Sequence, residues 1–275
     1  MHIIRPILLL LAIMSLVPTL TQAGAVLFIY PTLLIFEGDE RSGTVTVTNR
    51  GDETGTFEMS WTDMTMNADG GLVKYEGEAP PWSLQSHVRY SPRRVTLEPL
   101  ESQVIRIAVR RGLDIPEGEY YSHFRVLTLN SEDPSVDLSD AEEQDTGAVI
   151  TIAARSAVAI PIVWRNSQAA SSASIDSVRI DPDANQLSVD VRRHGPLSVR
   201  GYLQVIETAA DGTRSFLAEP VPLVIYPSLD ARTMAIELHD GVFAGNLKRG
   251  TEVYYSPDLE MTDKSIVIDS YPIVP

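Results

Sequence analysis

The chain has 275 residues, enough for one large domain or two of ordinary size, and 44% of them are hydrophobic, enough for a buried core. It contains no cysteine, which excludes disulfides, thiol catalysis, zinc–thiolate sites and iron–sulfur clusters. Its formal net charge of −15 opposes binding to nucleic acid or to an anionic membrane surface.

Residues 1–25 read as a secretory leader. Arg5 precedes an apolar run from Pro6 to Val17, and small residues at Ala23, Gly24 and Ala25 suit a signal peptidase, with cleavage after Ala23 or after Ala25. The run is shorter than the ~20 residues of a spanning helix, so a membrane anchor fits less well. No later segment is apolar enough to span, so stable membrane insertion is not expected.

Beyond the leader the period is that of strands. In Ser42 to Arg50, Val45 and Val47 face one way and Thr44, Thr46 and Thr48 the other, a β-branched pattern suited to a half-buried pleat. Thr56 to Thr62 puts Phe57, Met59 and Trp61 on one face. Val104 to Val109 alternates Val104, Arg106 and Ala108 against Ile105, Ile107 and Val109. Glu119 to Leu129 sets Phe124, Val126 and Thr128 opposite His123, Arg125, Leu127 and Leu129. Turns are expected at Arg50-Gly51-Asp52, Asp69-Gly70-Gly71, Pro80-Pro81 and Pro116-Glu117-Gly118. The 18 prolines suit strand ends and edges better than helices.

Residues 130–147, rich in Ser, Asp and Glu, read as a long loop between two strands; loops of that length are often functional. Asn166 to Ser174, N-S-Q-A-A-S-S-A-S, reads as a linker of small polar residues. After it the alternation restarts over Ile175–Ile180, Gln186–Arg192, Val199–Thr208, Arg214–Leu217, Arg232–Leu238, Glu252–Ser256 and Ser265–Ile268. Asp211-Gly212 marks a hairpin turn. The expected architecture is all-β: two immunoglobulin-like sandwiches, 26–165 and 175–275, after a cleaved leader.

No catalytic or cofactor motif stands out. His2, His87, His123, His194 and His239 are spaced singly, without metal-ligand periodicity. There is no nucleophile elbow, phosphate loop or dinucleotide fingerprint. Asp181-Pro182-Asp183-Ala184-Asn185 lacks the glycine and the closing Glu of a calcium loop and reads as a turn. Asp140 to Asp145 reads as a solvated charge run. No enzyme activity and no cofactor are expected; a hydrolase with scattered carboxylates is a distant alternative.

One segment carries a functional signal. Gly147 to Arg165, taken as one strand, aligns Ile150, Ile152, Ala154, Ser156, Val158, Ile160, Ile162 and Trp164 on one face. Two readings stand side by side: a central strand covered on both faces, or an edge strand whose apolar row completes another protein's fold by strand addition.

The ordered set of motifs resembles the periplasmic chaperones of the chaperone–usher pathway, the PapD-like family. Ala25 to Gly38 is similar to that family's first strand, with its apolar-acidic-Gly ending, and Ser42 to Arg50 to its second. Thr56 to Thr62 with Trp61, Pro80-Pro81, Arg94 to Ile107, Glu119 to Leu129 and Gly147 to Arg165 follow in the family's order. The likeness covers most of the first half; the second half matches only as a β-domain of suitable length.

The resemblance implies a periplasmic chaperone that binds pilus or fimbrial subunits by donating a strand, for assembly at an outer-membrane usher. Ile150, Ile152, Ala154 and Val158 would fill the subunit's open groove. Family members carry two cleft basic residues that anchor the subunit's terminal carboxylate, but Leu33 and Pro161 stand at those positions here. Arg155, on the same face as Pro161, is the candidate substitute. The rival reading is a non-catalytic structural or adhesive immunoglobulin-like protein with the long strand paired internally.

Overall fold

The computed structural model describes residues 24–112, 114–129, 156–257 and 269–273. The expected leader before Gly24, the loop over 130–147 and the expected strand at Ser265–Ile268 lie outside the described residues. The fold is all-β, as its alternation predicts, and forms two immunoglobulin-like sandwiches.

The first sandwich uses β1 (Leu27–Tyr30), β2 (Leu34–Glu37), β3 (Ser42–Asn49), β4 (Gly55–Thr62), β5 (Met64–Met66), β6 (Leu72–Lys74), β7 (Val88–Ser91), β8 (Arg94–Leu97), β9 (Ser102–Val109), β10 (Gly118–Leu129) and β11 (Ala157–Asn166). Sheet 1 has the order β1-β3-β9-β7 and sheet 2 the order β2-β11-β10-β4-β8, while β5 and β6 form a separate hairpin. Val45, Val47, Ile105 and Ile107 from sheet 1 meet Phe57, Phe124, Val126 and Ile162 from sheet 2, all fully buried. Each such side chain contributes about 1.5–3 kcal/mol by leaving water. Thr44, Val104 and Arg106, at the intervening positions, are exposed.

The second sandwich uses β12 (Ser172–Asp181), β13 (Gln186–His194), β14 (Val199–Thr208), β15 (Arg214–Phe216), β16 (Val221–Ile225), β17 (Ala231–Glu237), β18 (Thr251–Ser256) and β19 (Asp269–Pro272). Sheet 3 has the order β12-β13-β17, and sheet 4 the order β15-β14-β18-β19 with β16 also on β14. Leu187, Val189 and Ile236 of sheet 3 pack on Leu203, Val205 and Val253 of sheet 4. The Asp181 carboxylate accepts the Asp183 and Ala184 amides at 3.1 and 3.0 Å, so this segment is a turn.

Three expectations need correction. Ala25 to Gly38 is not one strand: β1 pairs with β3 in sheet 1, whereas β2 pairs in parallel with β11 in sheet 2. Pro31 lies at the crossing, where a residue without an N–H costs no ladder bond. The linker read over 166–174 is shorter than expected, since Asn166 ends β11 and Ser172 opens β12, leaving 167–171 between them. Small polar residues do not forbid a strand where a neighbour supplies the ladder, and β13 does so from Ser172 onward. Short strands β5, β6, β7 and β16 also escape the periodicity, being three to five residues long.

One side chain ties the start of the first sandwich together. Asn49 is fully buried, and its Oδ1 accepts the Val26 and Gly51 amides at 3.2 and 3.0 Å. Its Nδ2 donates to the Glu53 and Leu97 carbonyls at 2.7 and 3.1 Å. Asn49→Ala should leave the Val26 and Gly51 amides without this acceptor and cost on the order of 1–3 kcal/mol. Chemical denaturation checks this; a loss within about 0.5 kcal/mol, the range of ordinary surface changes, would contradict it.

Candidate functional site at the domain junction and the open edge of β11

β10 is twelve residues long and is buried on both faces over its first half. Its even positions Tyr120, Phe124 and Val126 enter the first core. Its odd positions Glu119, Tyr121 and His123 lie on the outer face of sheet 2 and are buried as well. Contacts from the second sandwich cover them.

At one end of this junction stands a polar lock. Glu119 Oε2 accepts Arg165 Nε at 3.0 Å, the Ser198 amide at 3.1 Å and the Ser198 hydroxyl at 2.8 Å. Arg165 also donates to Glu37 Oε1 at 2.6 Å and to the Ser198 carbonyl at 3.1 Å. Burial opposes the guanidinium's charge, but hydrogen bonds and charge attraction from Glu119 and Glu37 outweigh it, and the Arg165 pKa is raised. Two strands of sheet 2 and the start of β14 are thereby joined through one carboxylate.

In the middle, Tyr121 stacks on Tyr226 with ring centroids 4.5 Å apart, and Trp82 stacks on Tyr121 at 6.1 Å. Leu33, Ile35, Met66, Val163 and Val224 pack around the Tyr121–Tyr226 pair. Burial pushes the Tyr121 phenol up to about 12. His123 lies 6.2 Å from Tyr226 and is 1% exposed, with neither ring nitrogen bonded to protein. Burial lowers its pKa to about 4; nearby Asp63 opposes the shift and Arg200 adds to it. Arg200 lies over the Tyr226 ring at 5.4 Å.

At the far end, the β5–β6 hairpin reaches β17. Arg232 Nη2 contacts the Asp69 carbonyl at 3.5 Å, and the Thr233 amide reaches the Ala68 carbonyl at 3.4 Å. The guanidinium occupies the space where a Cβ at Gly70 would sit, and Gly70 has φ +86°. The positive φ favours glycine there, and a larger residue would also displace the Arg232 guanidinium.

The edge of β11 is only half covered. β10 pairs with it from Ala157 to Asn166, but β2 joins its other side only from Ile162 to Arg165. The Thr128 amide donates to the Ser156 carbonyl, which sets the phase of the antiparallel ladder. Val158, Ile160 and Ile162 then bond to β10, and the main-chain groups of Ala157, Ala159 and Pro161 point to the other side. Pro161, opposite His123, therefore forfeits no bond to β10. Between Ala157 and Pro161 no described strand covers that edge.

Of the sequence-derived site residues, Ile150, Ile152, Ala154 and Arg155 lie outside the described residues. Val158 is half-buried and packs against the first core, in line with buried Ile160, Ile162 and Trp164. Leu33 belongs to the apolar junction cluster. Sequence reasoning missed Glu119, Tyr121, Arg165, Ser198, Arg200 and Tyr226. The row Glu119, Tyr121, His123 opposite an apolar face was a readable sign that β10 has a second packing partner.

No family model matches the sequence, and no curated protein matches it. The chain is similar to solved structures of pilus chaperones. A chaperone–tip adhesin complex of CFA/I fimbriae is 15% identical and covers 91% of this chain and 100% of its own, with a TM-score of 0.46. The CsuC–CsuE chaperone–tip adhesion subunit pre-assembly complex of Acinetobacter baumannii is 15% identical, covering 90% and 97%, with a TM-score of 0.46. The YadV chaperone is 13% identical, covering 90% and 99%, with a TM-score of 0.44.

Two outcomes follow from the junction. Glu119→Ala should leave the Arg165 Nε and the Ser198 amide without this acceptor while Arg165 keeps Glu37, costing about 1–3 kcal/mol by denaturant titration. A variant as stable as wild type would remove the lock from the account. His123 is pH-linked: its folded pKa of about 4 lies below the unfolded value near 6.5, so the unfolded chain binds the extra proton between them. Its contribution is complete above about pH 6.5 and is lost as pH falls towards 4, up to about 3 kcal/mol. Unfolding midpoints at neutral and mildly acidic pH should differ less in His123→Phe than in wild type; equal differences would refute the assignment.

Proposed function

We propose that the chain is a periplasmic chaperone that binds pilus or fimbrial subunits by strand addition, for their assembly at an outer-membrane usher. The observation carrying this reading is the edge of β11 between Ala157 and Pro161, which no described strand covers. An exposed run of strand main chain is a template for another strand, and a cell tolerates it where a partner uses it.

In this reading Ile150, Ile152 and Ala154 form the donated row. Val158 is the hinge of that row, beyond which Ile160, Ile162 and Trp164 serve the chain's own core. Main-chain bonds provide affinity and the apolar row provides fit. Arg155 is proposed to contact the partner's terminal carboxylate. No cofactor and no catalysis are involved. Of the expected leader 1–25, residues up to Ala23 act as the leader, and cleavage after Ala23 is the better of the two sites. The Gly24 carbonyl accepts the Asp52 amide at 3.2 Å, and the Val26 amide is held by Asn49, so the fold uses the chain from Gly24 onward. Two domains, 26–165 and 175–275, are proposed as the working units.

The test is binding to a purified pilus subunit with an incomplete immunoglobulin fold. Ala159→Pro removes an edge N–H that β10 does not use, so the fold should survive while binding weakens by about 1–2 kcal/mol, roughly tenfold. Replacing Ile150 and Ile152 with Asp should abolish binding, because charges cannot enter an apolar groove without a large desolvation cost. Circular dichroism separates this from the structural or adhesive alternative, under which the Asp pair enters the chain's own core and unfolds the first sandwich. Undiminished binding by both variants would also end the proposal.

A further inference from the structure

The chain is strongly acidic, yet its second long surface is cationic. From Ser86 to Arg111 there are six arginines and two glutamates, against a net charge of −15 for the whole. Sheet 1 collects much of this charge on its outer face. Arg89 on β7 and Arg106 on β9 are exposed at neighbouring registers, since Arg89 pairs with Ala108 and Ser91 with Arg106. Arg110 and Arg111 follow directly at the end of β9, also exposed. None of the four makes an ion pair with a described residue.

Beside this corner lies an apolar one on the same face. Tyr30, Thr46 and Val104 form one cross-strand row, and Phe28, Thr48 and Ser102 the next. Tyr30 is 66% exposed, Val104 51% and Phe28 38%. Thr44 and Thr46 bridge the two corners without charge, so covering them costs little desolvation. This face looks away from the junction and from the open edge of β11, which both belong to sheet 2.

We infer that the outer face of sheet 1 is a docking surface for an acidic protein segment bearing an aromatic or aliphatic side chain. Unpaired guanidiniums present forked donors that match carboxylates, while exposed Tyr30 and Val104 offer an apolar anchor beside them. Extended polyanions fit less well. A membrane or a nucleic acid would also face the rest of a −15 chain and be repelled, whereas a short segment meets only the local field. This inference does not depend on strand addition, because it concerns the opposite sheet.

The experiment uses the full exported chain and a labelled synthetic peptide of Asp and Glu around a central Phe, followed by fluorescence anisotropy. The expected result is binding that weakens with salt and falls at least about tenfold when Phe becomes Ser or the acidic residues become Lys. R89E/R106E should lose the peptide to the same extent with an unchanged melting curve. R110Q/R111Q, a milder change at the strand end, should weaken it in the same direction. Equal affinity in both variants would overturn the inference. Binding to phosphatidylglycerol vesicles in preference to the peptide would overturn it too. So would a wild-type dimer in sedimentation that R89E/R106E dissolves, since a second copy would then be the occupant.

Discussion

Everything about the domain junction depends on the single Glu119 carboxylate. It carries the Arg165 guanidinium, which itself reaches Glu37, and both polar groups of Ser198 at the start of β14. Two strands of the first sandwich and the start of β14 in the second are thus held to one point. Isolated buried ion pairs give little net stability, because desolvation offsets attraction. Their effect is geometric: a carboxylate with three donors at about 3 Å tolerates few alternative placements of the strands that bring them. The Tyr121–Tyr226 stack and the Arg232 contact with the β5–β6 hairpin extend the same restraint across the junction.

That restraint decides which surfaces remain open. The outer face of sheet 2 is covered where it carries Glu119, Tyr121, His123 and Val163. Further along β11, Ala157 is exposed and Ala159 and Pro161 are half-buried. β2 begins at Leu34, opposite Ile162, so among the described residues the same strand is closed at one end and open at the other. Proline at 161 sits at the boundary, where a missing N–H neither harms the β10 ladder nor adds a donor to the free edge. The proposed strand addition and the junction are therefore two consequences of one topology, in which a short β2 shares an edge that it does not fill.

Much of the fold was legible because period-2 alternation and burial coincide. Val45 and Val47 point inward with Thr44 outward, and β14 occupies the residues its pattern predicts, Val199–Thr208. Where a second partner covers the outer face, alternation fails as a guide, and β10 reads as buried throughout its first half. The switch of Ala25 to Gly38 between sheets was illegible for another reason: both halves are apolar and alternate alike, and only the pairing with β3 or β11 separates them. The junction residues come from distant segments, 79 positions apart for Glu119 and Ser198 and more than a hundred for Tyr121 and Tyr226, and no local pattern encodes that meeting. The donor row was legible only as a row. Its continuation from Val158 into the chain's own core emerged from the register of β11 against β10.

With Leu33 and Pro161 where the family resemblance implies basic residues, the proposed strand addition holds a partner by other means. Leu33 packs into the apolar junction cluster, so a cation there would have to be desolvated among Met66, Val163 and Tyr226. At Pro161 no side-chain donor exists. Arg165 is already shared between two carboxylates, and Arg200 lies against Tyr226 with its Nε and Nη2 buried. Neither is free to accept a terminal carboxylate without giving up contacts that fix the junction. Under the proposed function, affinity then comes from the main chain of Ala157 and Ala159, from the apolar row upstream and from Arg155. Such an interface draws most of its strength from backbone pairing and fit, so it should discriminate partners chiefly by the spacing of their grooves.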